Sequence, residues 1–170
     1  IKFREPGGTE NSEKIRNLIL NGNSKFNKIT DLLLILASRN ENIENIIKKN
    51  KGKKIILIDR FIDSSFAYQH YGMGINYNFI SNINKFILKN ISVNFTFLNL
   101  VSDKNLIKRL KKRKNLNRYD KFNLKFYNRV QNGFIRISKK NKKKYLLIDS
   151  NIDIGSNKKL IIKKIQNLIK

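Results

Sequence analysis

The chain has no cysteine, a single proline (Pro6) and a single histidine (His70). Without cysteine there are no disulfides and no thiolate metal sites. One histidine cannot build a histidine metal cluster. No run of about 18 apolar residues occurs, so no segment reads as a membrane span. The first ten residues, IKFREPGGTE, lack the basic start and apolar run of a signal peptide. Gly/Ser linkers and internal repeats are also missing. These absences lead to an expectation of one domain over residues 1–170 in a reducing cytoplasm, with no membrane partner.

Acidic residues are scarce. Only 12 Asp and Glu stand against 37 Lys and Arg, a net charge of +25. Such a balance raises the possibility of a polyanionic partner, and a basic nucleic-acid-binding domain would then bind in a steeply salt-dependent way. Against that reading, Lys, Asn and Ile are inflated together and the Lys residues are scattered. Drift in composition produces this pattern without selection for a nucleic acid.

What is present is ordered. Ile1–Phe3 reads as a strand running into the turn Pro6-Gly7-Gly8. Ser12 reads as the cap of a helix to about Leu20. Apolar residues at helical spacing predict a second helix from Ile29 to Lys49. Ile55–Ile58 is a continuous apolar run ending at Asp59, which predicts a strand buried on both faces. Further helices are expected over Ser64–Tyr71, Asn78–Asn90, Asp103–Lys112, Lys121–Lys140 and Lys158–Ile169. Strands are expected over Phe95–Leu100 and Tyr145–Asp149. Alternating strands and helices predict an α/β fold with a parallel sheet, and chemistry is then sought at the carboxyl ends of the strands.

Two such ends stand out. Arg4-Glu5-Pro6-Gly7-Gly8-Thr9 follows the first strand and Asp59-Arg60 follows the second. Four apolar residues and an Asp resemble a Walker-B strand, whose carboxylate helps place Mg²⁺. Its bland alternative is a strand-end Asp that caps a turn. A neighbouring guanidinium suits a bidentate phosphate contact, or a plain ion pair with Asp59 or Asp63. The segment RLKKRKNLNRYD, with Arg109, Arg113 and Arg118, reads as a mobile basic lid or as a solvated helix end.

In this order and spacing the motifs resemble the thymidylate kinase family. They are REPGGT (4–9), EKIRNLIL (13–20), DLLLILASR (31–39), DRFIDSSFAYQHYGMG (59–74), NRYD (117–120), FYNRVQNGF (126–134) and LLIDSN (146–151). The resemblance implies a three-layer P-loop fold of the nucleoside-monophosphate-kinase kind. It also implies transfer of the γ-phosphoryl of ATP to dTMP with Mg²⁺, and commonly a homodimer, for which the Ile29–Lys49 helix is a candidate face. Asp59 would help organise Mg²⁺, directly or through water, or the acceptor, and Arg60 would grip the dTMP phosphate. Arg39 and Gln69 would read the thymine, and Tyr68 would lie against the deoxyribose. Pro6 would shape the acceptor pocket. Arg113 and Arg118, in a lid of about residues 112–120, would stabilise the transferring phosphoryl. A related kinase with another acceptor is the alternative.

Several positions depart from the family pattern. Ile35 stands where a thymine-stacking Phe is usual, Met73 replaces a common Arg, His70 a common Gly and Gln131 a common Arg. No G-x-x-x-x-G-K-[ST] occurs in the 170 residues. The resemblance places that P-loop before Ile1, with a first strand belonging to the middle of the sheet. The expectation is therefore a chain truncated at its N-terminus, marginally stable alone, weak in ATP binding and inactive in forming dTDP.

Overall fold

The computed structural model describes residues 1–169. The chain divides into two compact units, Ile1–Ser92 with Asn115–Ile135, and Val93–Lys114 with the segment from Arg136 onward. Each is built on one pair of parallel strands.

The first unit begins with β1 (Lys2–Arg4) and α1 (Glu10–Leu20). Thr9, rather than Ser12, caps α1. Its Oγ1 accepts from the Ser12 N–H at 3.2 Å, while the Ser12 hydroxyl is buried and donates to the Ser38 carbonyl at 2.9 Å. Next come α2 (Lys28–Asn42), a π turn over Ile43–Ile47 and α3 (Lys48–Asn50). Together they fill the single helix expected there. Ile43 and Ile47 of the wide turn pack with Phe3 and Leu88 in one core cluster. Leu32, Leu36, Ile75 and Ile80 form a second.

β2 (Leu57–Asp59) pairs in parallel with β1, Arg4 opposite Asp59. It is not buried on both faces, as the apolar run had suggested. Ile56 and Ile58 pack against the Phe3 cluster, but Ile55 and Leu57 are 56% and 48% exposed. β2 pairs only with β1 among the described residues, so alternate side chains of the run meet no cover in this unit.

After β2, α4 (Ile62–Ser65) runs into a π segment over Phe66–Gly72. The His70 ring fastens the end of that segment. Its Nδ1 lies 2.7 Å from the Ile75 carbonyl, which can only accept, so Nδ1 carries the proton. α5 (Tyr77–Leu88) follows.

In the second unit β3 (Thr96–Leu100) precedes α6 (Asp103–Lys111). Back in the first unit, residues 115–118 lead to a 3₁₀ turn at Tyr119–Lys121. α7 (Leu124–Lys140) contributes its residues to Ile135 to the first unit and the rest to the second. β4 (Tyr145–Asp149) pairs in parallel with β3, Leu98 opposite Leu147. α8 (Ile154–Leu168) starts four residues before the expected Lys158, because the Asp153 carboxylate caps it by accepting from the Ser156 N–H at 2.8 Å. No helix among the described residues is long and apolar enough to cross a membrane.

Candidate functional site

The carboxyl ends of β1 and β2 lie level. The Glu5 N–H donates to the Asp59 carbonyl at 2.9 Å, just beyond the Arg4–Asp59 pair. The chain leaves β1 through a cis Glu5-Pro6 bond and two glycines with φ of 118° and 119°. L-residues with a side chain rarely adopt that backbone, and a Cβ on Gly8 would stand 2.6 Å from the Asn42 amide oxygen. Two helices pin the loop. From α2, the Ser38 hydroxyl accepts from Gly7 N–H at 3.1 Å. The Asn42 amide accepts from Thr9 N–H at 3.2 Å and donates to the Gly7 carbonyl at 2.7 Å. From α1, Glu13 accepts from Gly8 N–H at 3.0 Å and Arg16 donates to the Pro6 carbonyl at 2.7 Å. Pro6 therefore sits in a loop whose shape is fixed from both sides.

Three guanidinium groups gather at these strand ends. Arg4 is paired with Glu13 at 3.2 Å. Arg16 is pushed below the usual arginine range, first by burial and next by the like charge of Arg4, with Arg60 adding to it and Glu13 and Asp59 opposing. For Arg60, desolvation pulls down, but Tyr68 and Asp59 outweigh it and raise the value. The Arg60 guanidinium lies over the Tyr68 ring, 5.0 Å from its centre. Its backbone has φ 65°, a left-handed conformation that costs a non-glycine residue free energy. Asp59 is exposed beside it. Guanidinium groups from α1, at the Pro6 loop, and from the end of β2 suit a dianion at these strand ends. Arg16 is not among the residues singled out from sequence. The signal was available: it is an Arg in a Lys-rich chain, three residues after Glu13, so both face the loop from one side of α1.

One stripe of α2 carries Asp31, Ile35 and Arg39, each four residues apart. Arg39 is 1% exposed and makes four hydrogen bonds. Nε donates to Glu5 at 2.8 Å, Nη1 to Ser65 at 2.9 Å and Asn84 at 2.7 Å, and Nη2 to the Phe61 carbonyl at 3.1 Å. A guanidinium has five N–H groups, so one Nη2 proton remains. Arg39 thus ties the loop after β1 to α4 and α5. Glu5 is buried with it. Burial pushes the Glu5 carboxyl above the ordinary carboxylate range, and Arg39 and Asn42 offset this only in part. Ile35, between the two polar residues of the stripe, is half-buried.

At the other end of the stripe, Asp31 is buried and pairs with Arg118 and with the Tyr119 hydroxyl. Arg118 also lies over Phe26 and Tyr119, with centroid distances of 5.8 and 5.3 Å. The lid arginine of the sequence reading is therefore engaged inward, and its side chain is only 16% exposed. The Tyr119 oxygen accepts from Gln69 Nε2 at 3.3 Å. Burial pushes the Tyr119 phenol up to about 12, with Arg118 opposing. Next to Gln69, the Tyr68 ring meets the edges of Tyr119, Phe126 and Phe134 at 5.8–6.3 Å. A pocket of about 250 Å³ opens here, lined by Phe26, Lys28, Asp31, Met73, Arg118 and Phe122.

The structure thus brings Pro6, Ile35, Arg39, Asp59, Arg60, Tyr68, Gln69 and Arg118 into one unit. Arg113, just past α6, belongs to the other. No group of three or more His, Cys, Asp or Glu suited to a metal exists among the described residues. A lone exposed carboxylate nevertheless fits Mg²⁺, which commonly takes one or two carboxylates and fills its sphere with water and phosphate oxygens.

Comparison with known proteins shows the family of the chain. A family model described as thymidylate kinase matches residues 1–161. The chain is 37% identical over 164 residues to the thymidylate kinase of Sulfurihydrogenibium sp. (strain YO3AOP1), covering 95% of this chain and 79% of that protein. It is 40% identical over 158 residues to that of Ehrlichia ruminantium (strain Gardel), covering 92% and 75%. The crystal structure of thymidylate kinase from Ehrlichia chaffeensis superimposes with a TM-score of 0.77 at 33% identity, over 98% of this chain and 80% of that one.

Proposed function

We propose, from the premise that this chain belongs to the thymidylate kinase family, that its described residues form the acceptor side of the site. The reaction is phosphoryl transfer from ATP to dTMP, giving dTDP. The observation that carries the acceptor assignment is that Arg16 reaches the Pro6 loop after β1 while Arg60 directly follows Asp59 at the end of β2, the two strand ends lying level. The 170 residues contain no G-x-x-x-x-G-K-[ST] segment, so the residue roles assigned here concern the acceptor.

Phosphoryl transfer is accelerated mainly by positioning and by charge. Arg60 and Arg16 hold the dTMP phosphate between them, and the fixed loop around Pro6 closes that corner. Asp59 is the residue that would hold Mg²⁺, whose chemistry is to neutralise charge on the donor phosphates. Tyr68, hemmed by three aromatic edges and by Arg60, packs against the sugar and disfavours a 2′-hydroxyl. Gln69 and the remaining Arg39 proton face the base, with Ile35 against its plane. The family resemblance alone assigns Arg113 to the charge of the transferring group. Arg118 anchors its end of the lid on Asp31. Ile29 and Leu33, 39% and 48% exposed and four apart on α2, support a homodimer through that helix. Sedimentation velocity at micromolar concentration tests this, with a single monomeric species as the adverse result.

Calorimetric titration with dTMP, dCMP, dGMP and dAMP tests the acceptor. The expected result is that dTMP binds tightest, and tighter binding of a purine nucleotide overturns the assignment. Ile35→Phe is expected to tighten dTMP about threefold to tenfold, because an aromatic face adds stacking that an aliphatic side chain lacks. No gain in the same titration would remove Ile35 from the base plane.

A further inference from the structure

We propose that Tyr119 is a positioning residue for base selection: anchored on Asp31, its hydroxyl turns the Gln69 amide so that Oε1 faces the acceptor base and demands a ring N–H there. The inference rests on the reading above that Gln69 lies at the base.

The direction of each hydrogen bond follows from its neighbour. Asp31 is paired with the Arg118 guanidinium and so remains a carboxylate, which can only accept. The Tyr119 hydroxyl bonded to it must therefore donate its one proton there. Toward Gln69 the same oxygen can only accept, so the amide nitrogen must be the atom that faces it, as found at 3.3 Å. The phenol holds its proton throughout the working pH range, being pushed up to about 12 by burial. The Gln69 side chain is 1% exposed and is held by that bond to Tyr119. With Nε2 committed to Tyr119, Oε1 is the end of the amide that can accept from a ligand's donor.

A thymine or uracil ring supplies one at N3–H. A cytosine ring presents a lone pair at N3, and two acceptors then face each other. A site built to receive a hydrogen bond rejects the analogue that cannot make it. Without the Tyr119 hydroxyl the amide is free to turn over and present Nε2 instead. The chain Asp31–Tyr119–Gln69 thus assigns selectivity to a carboxylate and a phenol that lie behind the group reading the base.

The test is equilibrium titration of the full chain with dTMP, dUMP and dCMP, for the unsubstituted protein, Tyr119→Phe and Gln69→Leu. Tyr119→Phe is expected to lower the dTMP-to-dCMP affinity ratio about tenfold, near the worth of one ordered hydrogen bond. The change should come from weaker dTMP and stronger dCMP binding, with dUMP following dTMP. An equal loss for all three nucleotides, or an unchanged ratio, overturns the proposal. Gln69→Leu separates it from its premise. If that variant keeps the original ratio, Gln69 is not at the base. If it lowers the ratio and Tyr119→Phe does not, Gln69 stays and the role of Tyr119 falls. Hydrogen exchange of the Gln69 side-chain amide, followed by NMR in the ligand-free protein, gives a readout that needs no variant. Slowed exchange is expected, and exchange at the solvent rate counts against the anchored amide.

Discussion

Arg39→Met is expected to destabilise the protein by about 3–5 kcal/mol, the usual cost of removing one partner of a buried ion pair. Glu5 would be left buried without its guanidinium, and Ser65, Asn84 and the Phe61 carbonyl would each lose a donor. A loss of that size is a large fraction of a typical domain's stability. Its pH dependence distinguishes the mechanism. The Glu5 carboxyl already lies above its ordinary value because of burial. A raised carboxyl contributes stability below its unfolded pKa and loses it as pH rises through the folded value. Without Arg39 the folded value climbs further, so the penalty grows with pH. Urea unfolding of both proteins at pH 5 and pH 8 should show the larger difference at pH 8. An equal difference at both would mean that lost packing, not an uncompensated carboxylate, sets the cost.

The second large effect falls on binding. Arg60→Gly is expected to weaken dTMP binding roughly hundredfold, since hydrogen bonds to a charged group contribute about 1.5–3 kcal/mol. Glycine is a better probe here than alanine. The position has φ 65°, where glycine is at ease and alanine is strained. Stability should stay within about 1 kcal/mol, with strain relief offset by the entropy of a freer unfolded chain. Thymidine, which has no phosphate, should bind the variant and the original protein alike. Parallel losses for thymidine and dTMP would remove Arg60 from the phosphate corner. Arg60→Lys keeps the charge without the planar fork and should fall between the two.

The parts of the fold legible in the sequence are those with a local period or a fixed turn chemistry. The Leu57–Asp59 and Tyr145–Asp149 strands both announce themselves as apolar runs ended by Asp. The helices from Lys28 and Asp103 follow their apolar spacing. Helix starts were less legible, because Thr9 and Ser12, or Asp153 and Ser156, are equally good capping types. Only the entering chain decides which of each pair caps. The two π turns have no period of their own in the sequence. The same limit applied to the site. Motif order named the candidate residues, but what each one touches is set by partners far along the chain. Arg39 meets Glu5 across 34 residues and Tyr119 meets Asp31 across 88. Nothing local in NRYD says that its arginine turns inward to a carboxylate.

The stripe of α2 works as a ruler. Asp31 and Arg39 are eight residues apart, which at the rise of an α-helix is about 12 Å along the axis. One end is clamped to the segment carrying Tyr119 and the other to the loop after β1. Between the clamps the helix is regular α; its wide turn begins only at Ile43. Inserting or deleting one residue between these marks would swing one clamp about 100° around the axis and undo both. A residue gained after Asn42 would leave the ruler intact. The length of this wall, about 12 Å between its two clamps, is therefore a constant of the protein.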